Sequence, residues 1–257
     1  AIASAIAWFT GLLGSLYLLH VRGGLLDFQR PHWLELKKYW GALLKISIPI
    51  STANMLTPIA AAILTALVAR FGEQAVAAFG AGARIEAMSM IVIFALTSAL
   101  SPYMAQNLGA GNCERARQAL KISLRFTLAF QLCVYVVMAL GSTWLATVFS
   151  DDPVVIELIR QYLCIILLGS VFYALVIIIS TAFNSAKQSN KTLWLTLIRV
   201  FVCLAPCAWL GGKLWGYQGL LAGAVIGNAV ACLVAWRMLH KTFDTMDVAA
   251  ALASQQA

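Results

Sequence analysis

The 257-residue chain is 61% hydrophobic and only 11% charged, with a mean hydropathy of +0.85. A water-soluble domain carries about 25% charged residues, so this chain cannot coat a water-facing surface and belongs to the membrane class. Its net charge of +8 lies in short segments between apolar spans, not on one basic face interleaved with aromatics, which argues against nucleic-acid binding.

Seven apolar stretches, 1–19, 46–70, 77–106, 122–149, 156–183, 192–213 and 217–239, are each long enough to cross about 30 Å of hydrocarbon, which takes about 20 residues. None alternates with a period of two, so barrel strands are excluded and helices satisfy the backbone. The expected fold is all-α and polytopic, with about seven transmembrane helices. The chain opens at Ala1, inside an apolar stretch with no basic segment before it. That is unlike a signal peptide, and the chain is expected to be a piece of a longer protein.

The first connection, 20–45, mixes Arg22, Arg30, Lys37, Lys38 and Lys45 with Trp33, Leu34, Leu36, Tyr39, Trp40 and Leu43. It is expected to lie along the inner headgroup layer as an amphipathic segment. The second span holds Pro49 and Pro58 among Ser51, Thr52, Asn54 and Thr57. Proline removes a backbone bond and frees a carbonyl that is able to face a cavity.

The third span ends in "QNLGAGNCERARQALK", 106–121. A GxGxxG fingerprint would need glycine at position 114, which is Glu114, and no strand precedes it. The stretch is instead a helix stop, with Asn112 able to cap the next helix and Arg115, Arg117 and Lys121 among anionic headgroups. Asp152 before Pro153 is read as a helix cap in the same way. Pro102 and Pro206 are expected to be simple kinks.

Thirteen Lys and Arg residues fall in alternate connections and the tail, including Lys187, Lys191, Arg237 and Lys241; only Arg70, Arg160 and Lys213 fall on the other side. The positive-inside bias therefore puts residue 1 outside and the C-terminus in the cytoplasm. His20, His32 and His240 sit at the inner interface, and Cys203 and Cys207 have no His or carboxylate near them in sequence. No metal site, cofactor site or catalytic group is expected, and the chain does not read as an enzyme.

The segments "ISIPISTANML", "ALSPYMAQNLGAG", "VFSDDPVVIELIRQYL", "TAFNSAKQSNKTLWLTLIR" and "GYQGLLAGAVIGN" together resemble multidrug and toxic compound extrusion (MATE) transporters. They occur in the family's order and cover most of 45–241. The resemblance implies two six-helix bundles facing each other across a cleft. This chain would hold the last helix of the first bundle (1–19), the connecting loop (20–45), the C-terminal bundle (46–241) and a cytoplasmic tail (242–257). It implies secondary efflux of amphipathic or cationic drugs by antiport with H⁺ or Na⁺, in the cell's inner membrane, with the missing first half as partner. Some branches of the family resemble one another in acids on the seventh and tenth helices. The corresponding spans here have none, and the coupling ion stays open.

Ionisable groups at membrane depth are costly and are functional candidates. Arg84, Glu86 and Arg199 are the deep ones. Glu86 lies about 16 Å in from the outer end and Arg199 about 12 Å in from the inner end, at about 1.5 Å per residue. Glu86 is expected to face the bundle interior with Arg199 as partner and to exchange a proton or Na⁺, or else to form a structural ion pair. Arg84 points to another face. Asn54, Met55, Met88, Met90, Phe94, Phe172, Tyr173 and Phe183 are candidates for an adaptable wall around a lipophilic ligand, with Thr181 and Asn184 as hydrogen-bonding groups; ordinary helix packing is the competing role for each. A seven-helix receptor fits the same span count. A lipid-linked saccharide flippase of the same superfamily is the other alternative, although such proteins line their cleft with several cations.

Overall fold

The computed structural model describes residues 2–22 and 33–255, with side chains for 6–19, 21, 33 and 36–242. Two compact units divide the chain at Leu44 and Lys45. Arg30 and His32 lie outside the described residues, as do the side chains of His20, Arg22 and Leu34.

The first unit contains α1 (Ile2–Tyr17), a π-helical turn (Leu18–Arg22) and the start of α2 (Trp33–Val68). The amphipathic segment is thus helical from Trp33 onward rather than a loop. Trp33, Trp40 and Leu44 recur at helical spacing and are all exposed, so this stretch presents an apolar stripe.

The second unit holds the rest of α2, then α3 (Glu73–Gly109), α4 (Cys113–Leu140), α5 (Ser142–Phe149), α6 (Pro153–Ser185), α7 (Ser189–Leu197), a π-helical turn (Ile198–Leu204) and α8 (Ala205–Gln255). No strand occurs among the described residues. The span expected at 122–149 is interrupted at Gly141 and divides between α4 and α5. α8 is broken at Trp215 and Gly216, where Gly216 has φ 63°. That break separates the sixth and seventh expected spans.

α6 is the central element. Its buried residues surround it: Ile159, Leu163 and Leu167 sit in a core cluster with α3 and α8, while Ile178, Ala182 and Phe183 join a second cluster with α3, α4 and α8. A helix apolar all round is a buried one. The peripheral helices carry exposed Leu140, Trp144, Val202 and Leu233, surfaces that suit acyl chains.

The two legs separated by Gly216 pack as a hairpin on small residues. A Cβ at Gly219 would collide with the Gly211 carbonyl, one at Gly223 with the Cys207 carbonyl, and one at Gly227 would lie 2.8 Å from the Cys203 oxygen. In each pair the two numbers sum to the same value, the signature of antiparallel legs in one register. Lipid tails are as apolar as leucine, so helices in a membrane associate through close packing; glycine every four residues permits it.

Two turns end helices in the same way. After α3, Asn112 N–H donates to Asn107 O at 2.8 Å and Gly111 N–H to Leu108 O at 3.2 Å, with Gly111 at φ 78°. This pair of bonds is a Schellman stop, so the glycine step does end a helix. Asn112, however, makes no side-chain cap bond to α4. After α6, Gln188 N–H reaches Phe183 O at 2.8 Å and Lys187 N–H reaches Asn184 O at 3.1 Å, but Lys187 itself holds φ 58°. At the start of α6, Asp152 caps as expected: its Oδ1 accepts from Val154 N–H at 2.8 Å, and Oδ2 accepts from Gln74 Nε2 at 3.0 Å.

Candidate substrate cavity and the buried acid

A cavity of about 500 Å³ opens between α2, α3, α6, α7 and the π-helical turn. From α6 it is lined by Tyr173, Val176, Ile177, Ser180, Thr181 and Asn184, a single helical stripe. α7 and the turn contribute Thr192, Thr196 and Arg199, which again share one face. α2 contributes Ala53, Asn54, Thr57 and Pro58, and α3 contributes Phe94. Pro58 has no N–H to satisfy the Asn54 carbonyl four residues back, and both residues border the cavity.

Among the described residues, Arg199 is the one charged group in this lining. It is only 5% exposed, with its guanidinium 4.4 Å from the centroid of the Tyr173 ring and Nη1 donating to Asn228 Oδ1 at 3.5 Å. A guanidinium stacked on an aromatic face keeps its charge and several donor directions. It sits in a π-helical turn that ends just before Pro206, which cannot donate to the Val202 carbonyl. Such widened turns are frequent at functional sites. Beside it, Thr192 Oγ1 donates to Asn184 Oδ1 at 2.8 Å and approaches Ser180 O at 3.2 Å. That bond fixes the Asn184 amide.

The sequence-derived candidates divide. Asn54, Phe94, Tyr173, Thr181, Asn184 and Arg199 come together around the cavity. Met90 does not: it is 3% exposed, packed in the core, with Gln131 Nε2 at 2.9 Å from its sulfur. Phe183 is likewise a core residue. Met55 and Met88 are exposed and outside the lining. Thr192, Thr196 and Ser180 were missed, although Thr192, Thr196 and Arg199 recur at i, i+4 and i+7, a helix-face signal.

Glu86 does not pair directly with Arg199. Its Oε2 accepts from the phenol of Tyr162 at 2.6 Å, from α6. Gly82, one turn earlier on α3, makes this possible: a Cβ there would lie 2.8 Å from Tyr162 Cε1 and closer still to Cδ1 and Cγ. Without a side chain at 82 the Tyr162 ring lies flat against α3, edge-on to Phe79 at 5.3 Å, and its hydroxyl reaches the carboxylate. Arg84 is exposed on a different face of α3. Glu86 itself is not part of the cavity lining.

Long apolar helices around a cavity bordered by hydroxyl and amide groups and one guanidinium define a multi-pass membrane protein. The MatE family model matches residues 49–210, well over half of the chain, and the chain belongs to that family. It is 37% identical to the FAD transporter of Shewanella oneidensis over 235 residues, covering 90% of this chain and 52% of that protein. It is 26% identical to a probable multidrug resistance protein NorM of Geobacillus kaustophilus, covering 79% of this chain and 45% of that one. The crystal structure of the Vibrio cholerae MATE transporter VcmN in the bent form superposes with a TM-score of 0.88 at 28% identity, over 96% of this chain and 56% of that one. The chain thus spans about half the length of the relatives it matches. These relatives are membrane transporters rather than enzymes.

Proposed function

We propose that the chain is the C-terminal bundle, preceded by the last helix of the first bundle, of an inner-membrane secondary transporter. Its substrate is a planar aromatic molecule bearing phosphate or another anionic group, as a flavin dinucleotide does. One observation carries this: the cavity is bordered by hydroxyls, amides and aromatic faces, and the charge among its described lining residues is the positive Arg199. An anion would meet a desolvated guanidinium there, where charge-assisted hydrogen bonds are strongest, and a flat ring system would have Tyr173 and Phe94 to stack on. The name of the Shewanella relative agrees with that chemistry.

Efflux of lipophilic cations is the second reading, favoured by relatives described as multidrug resistance and multidrug export proteins. The cavity supports it less, since among the described residues no carboxylate borders it to balance a cation. In either case the two bundles alternate access, driven by H⁺ or Na⁺ entering at Glu86 or in the missing half. The Lys and Arg bias supports a cytoplasmic C-terminus for the bundle. Proteoliposomes containing the full-length protein decide between substrates. Saturable movement of FAD, with a fluorescent lipophilic cation moved poorly, supports the proposal; cation transport without FAD transport overturns it.

A further inference from the structure

On α4, Ser123, Thr127 and Gln131 recur every four residues, and all three are buried. Residues four apart share one face of a helix, and α4 packs against α6 and α3. A buried polar side chain normally finds a hydrogen-bond partner. The Thr127 hydroxyl has none among the described residues, although the residue is fully buried. At one end of the stripe, Ser123 borders an open cavity of about 530 Å³ between α3 and α4, which Tyr103, Arg115 and Gln118 also line. That cavity lies toward the Gly111 stop, the cytoplasmic end under the Lys and Arg bias. At the other end, Gln131 Nε2 donates to Met90 Sδ at 2.9 Å, and Met90 is one helical turn from Glu86 on the same face of α3. Tyr135, next in the spacing, donates to the Cys164 carbonyl at 3.1 Å. The stripe therefore closes beyond Gln131 and opens toward Ser123.

An unpaired hydroxyl in an apolar interior is unfavourable, and valine would fill the Thr127 position at no such cost. From this arrangement we propose that the α4 stripe is the inner proton path of Glu86, with Thr127 as its middle relay. The inference rests on the coupling role proposed for Glu86. A proton leaving the carboxyl passes along Gln131 and Thr127, through water ordered on their polar atoms, to Ser123 and the solvent of the cavity. The carboxylate left behind accepts from Tyr162 at 2.6 Å and lies in the field of Arg199. Thr127 and Gln131 are positioning residues, which order the path without touching the substrate.

Time-resolved infrared spectroscopy on membrane vesicles carrying the full-length protein tests this, with protons released by a flash from a membrane-impermeant caged-proton compound. Protonation of Glu86 reads as a carboxyl C=O band that Glu86→Gln lacks. In inside-out vesicles, which present the cytoplasmic face, Thr127→Val and Gln131→Leu should slow the rise of that band about tenfold. In right-side-out vesicles both variants should match wild type. Thr127→Val removes a hydroxyl that makes no bond, so it should melt no lower than wild type, and a purely structural role would leave every rate unchanged. Equal rates for wild type and variants from the cytoplasmic face would overturn the path while leaving the coupling role intact, as would equal slowing from both faces. A wild-type protein with no Glu86-dependent band would overturn the coupling role, and the path with it.

Discussion

The phenol of Tyr162 donates a hydrogen bond to the Glu86 carboxylate across the α3–α6 contact, at 2.6 Å. The bond joins the central helix to the element that carries the acid, so under the proposed coupling role a proton or Na⁺ arriving at Glu86 would act directly on how these two helices hold together. A carboxylate is a stronger acceptor than a carboxylic acid. Neutralising Glu86 would therefore loosen the clamp, as the proposed coupling role requires.

Glu86→Gln keeps the shape and removes the charge. In the full-length protein, transport driven by a pH gradient should fall to the background leak while substrate binding persists. Normal gradient-driven transport by this variant would remove Glu86 from the coupling mechanism. Tyr162→Phe should cost about 1.5–3 kcal/mol, the range for a hydrogen bond to a charged group. Denaturation of the purified protein in detergent measures it.

Gly82→Ala tests how that bond is assembled. The new methyl group overlaps the Tyr162 ring, so the ring must move and the hydroxyl must leave Glu86. A loss of about 1–3 kcal/mol is expected for overpacking, in the same direction as the loss from Tyr162→Phe. Gly80 is the control: nothing lies within 4 Å of a Cβ there, and Gly80→Ala should be neutral or slightly stabilising because alanine favours helix.

The hairpin between the two legs of α8 and its preceding turn rests on Gly219, Gly223 and Gly227. Gly223→Val places a branched side chain against the Cys207 carbonyl, which is backbone and cannot swing away. The variant should fail to reach the membrane in folded form, read as loss of the monodisperse peak in fluorescence-detected size exclusion. A normal peak would show that the legs separate more easily than their packing implies.

Lys187 occupies a left-handed position that glycine fills at the equivalent turn after α3. The left-handed conformation costs an L-residue roughly 1–2 kcal/mol, so Lys187→Gly should raise stability by about 1 kcal/mol. A higher melting temperature in detergent checks this; a lower one would mean that the lysine makes contacts worth more than its strain.

Much of the fold was legible because hydrocarbon imposes long apolar runs and each connection announces itself with Gly, Pro or charge. The stop at Gly111 and the cap at Asp152 followed from local chemistry alone. Glu86 stood out as a rare charge at depth, but its partner did not. Tyr162 lies 76 residues away, and only the three-dimensional approach over Gly82 joins them. Arg199 looked like an ion-pair partner because charge was the only criterion available; burial against Tyr173 gave it another neighbour. Met90 fell into the core for a related reason, since apolar residues on a helix within lipid carry no sign of which face is inward. The glycine repeat from 219 to 227 was visible in sequence, whereas its register against Gly211, Cys207 and Cys203 was not.

In the proposed function, Arg199 is the cavity's recognition charge for an anionic aromatic substrate. Uptake of labelled FAD into proteoliposomes holding full-length wild-type protein or Arg199→Gln, with a lipophilic cation measured in parallel, tests it most directly. Losing a charge-assisted contact should lower FAD transport about tenfold or more while leaving cation movement unchanged or increased. FAD transport at the wild-type rate in Arg199→Gln would contradict the account.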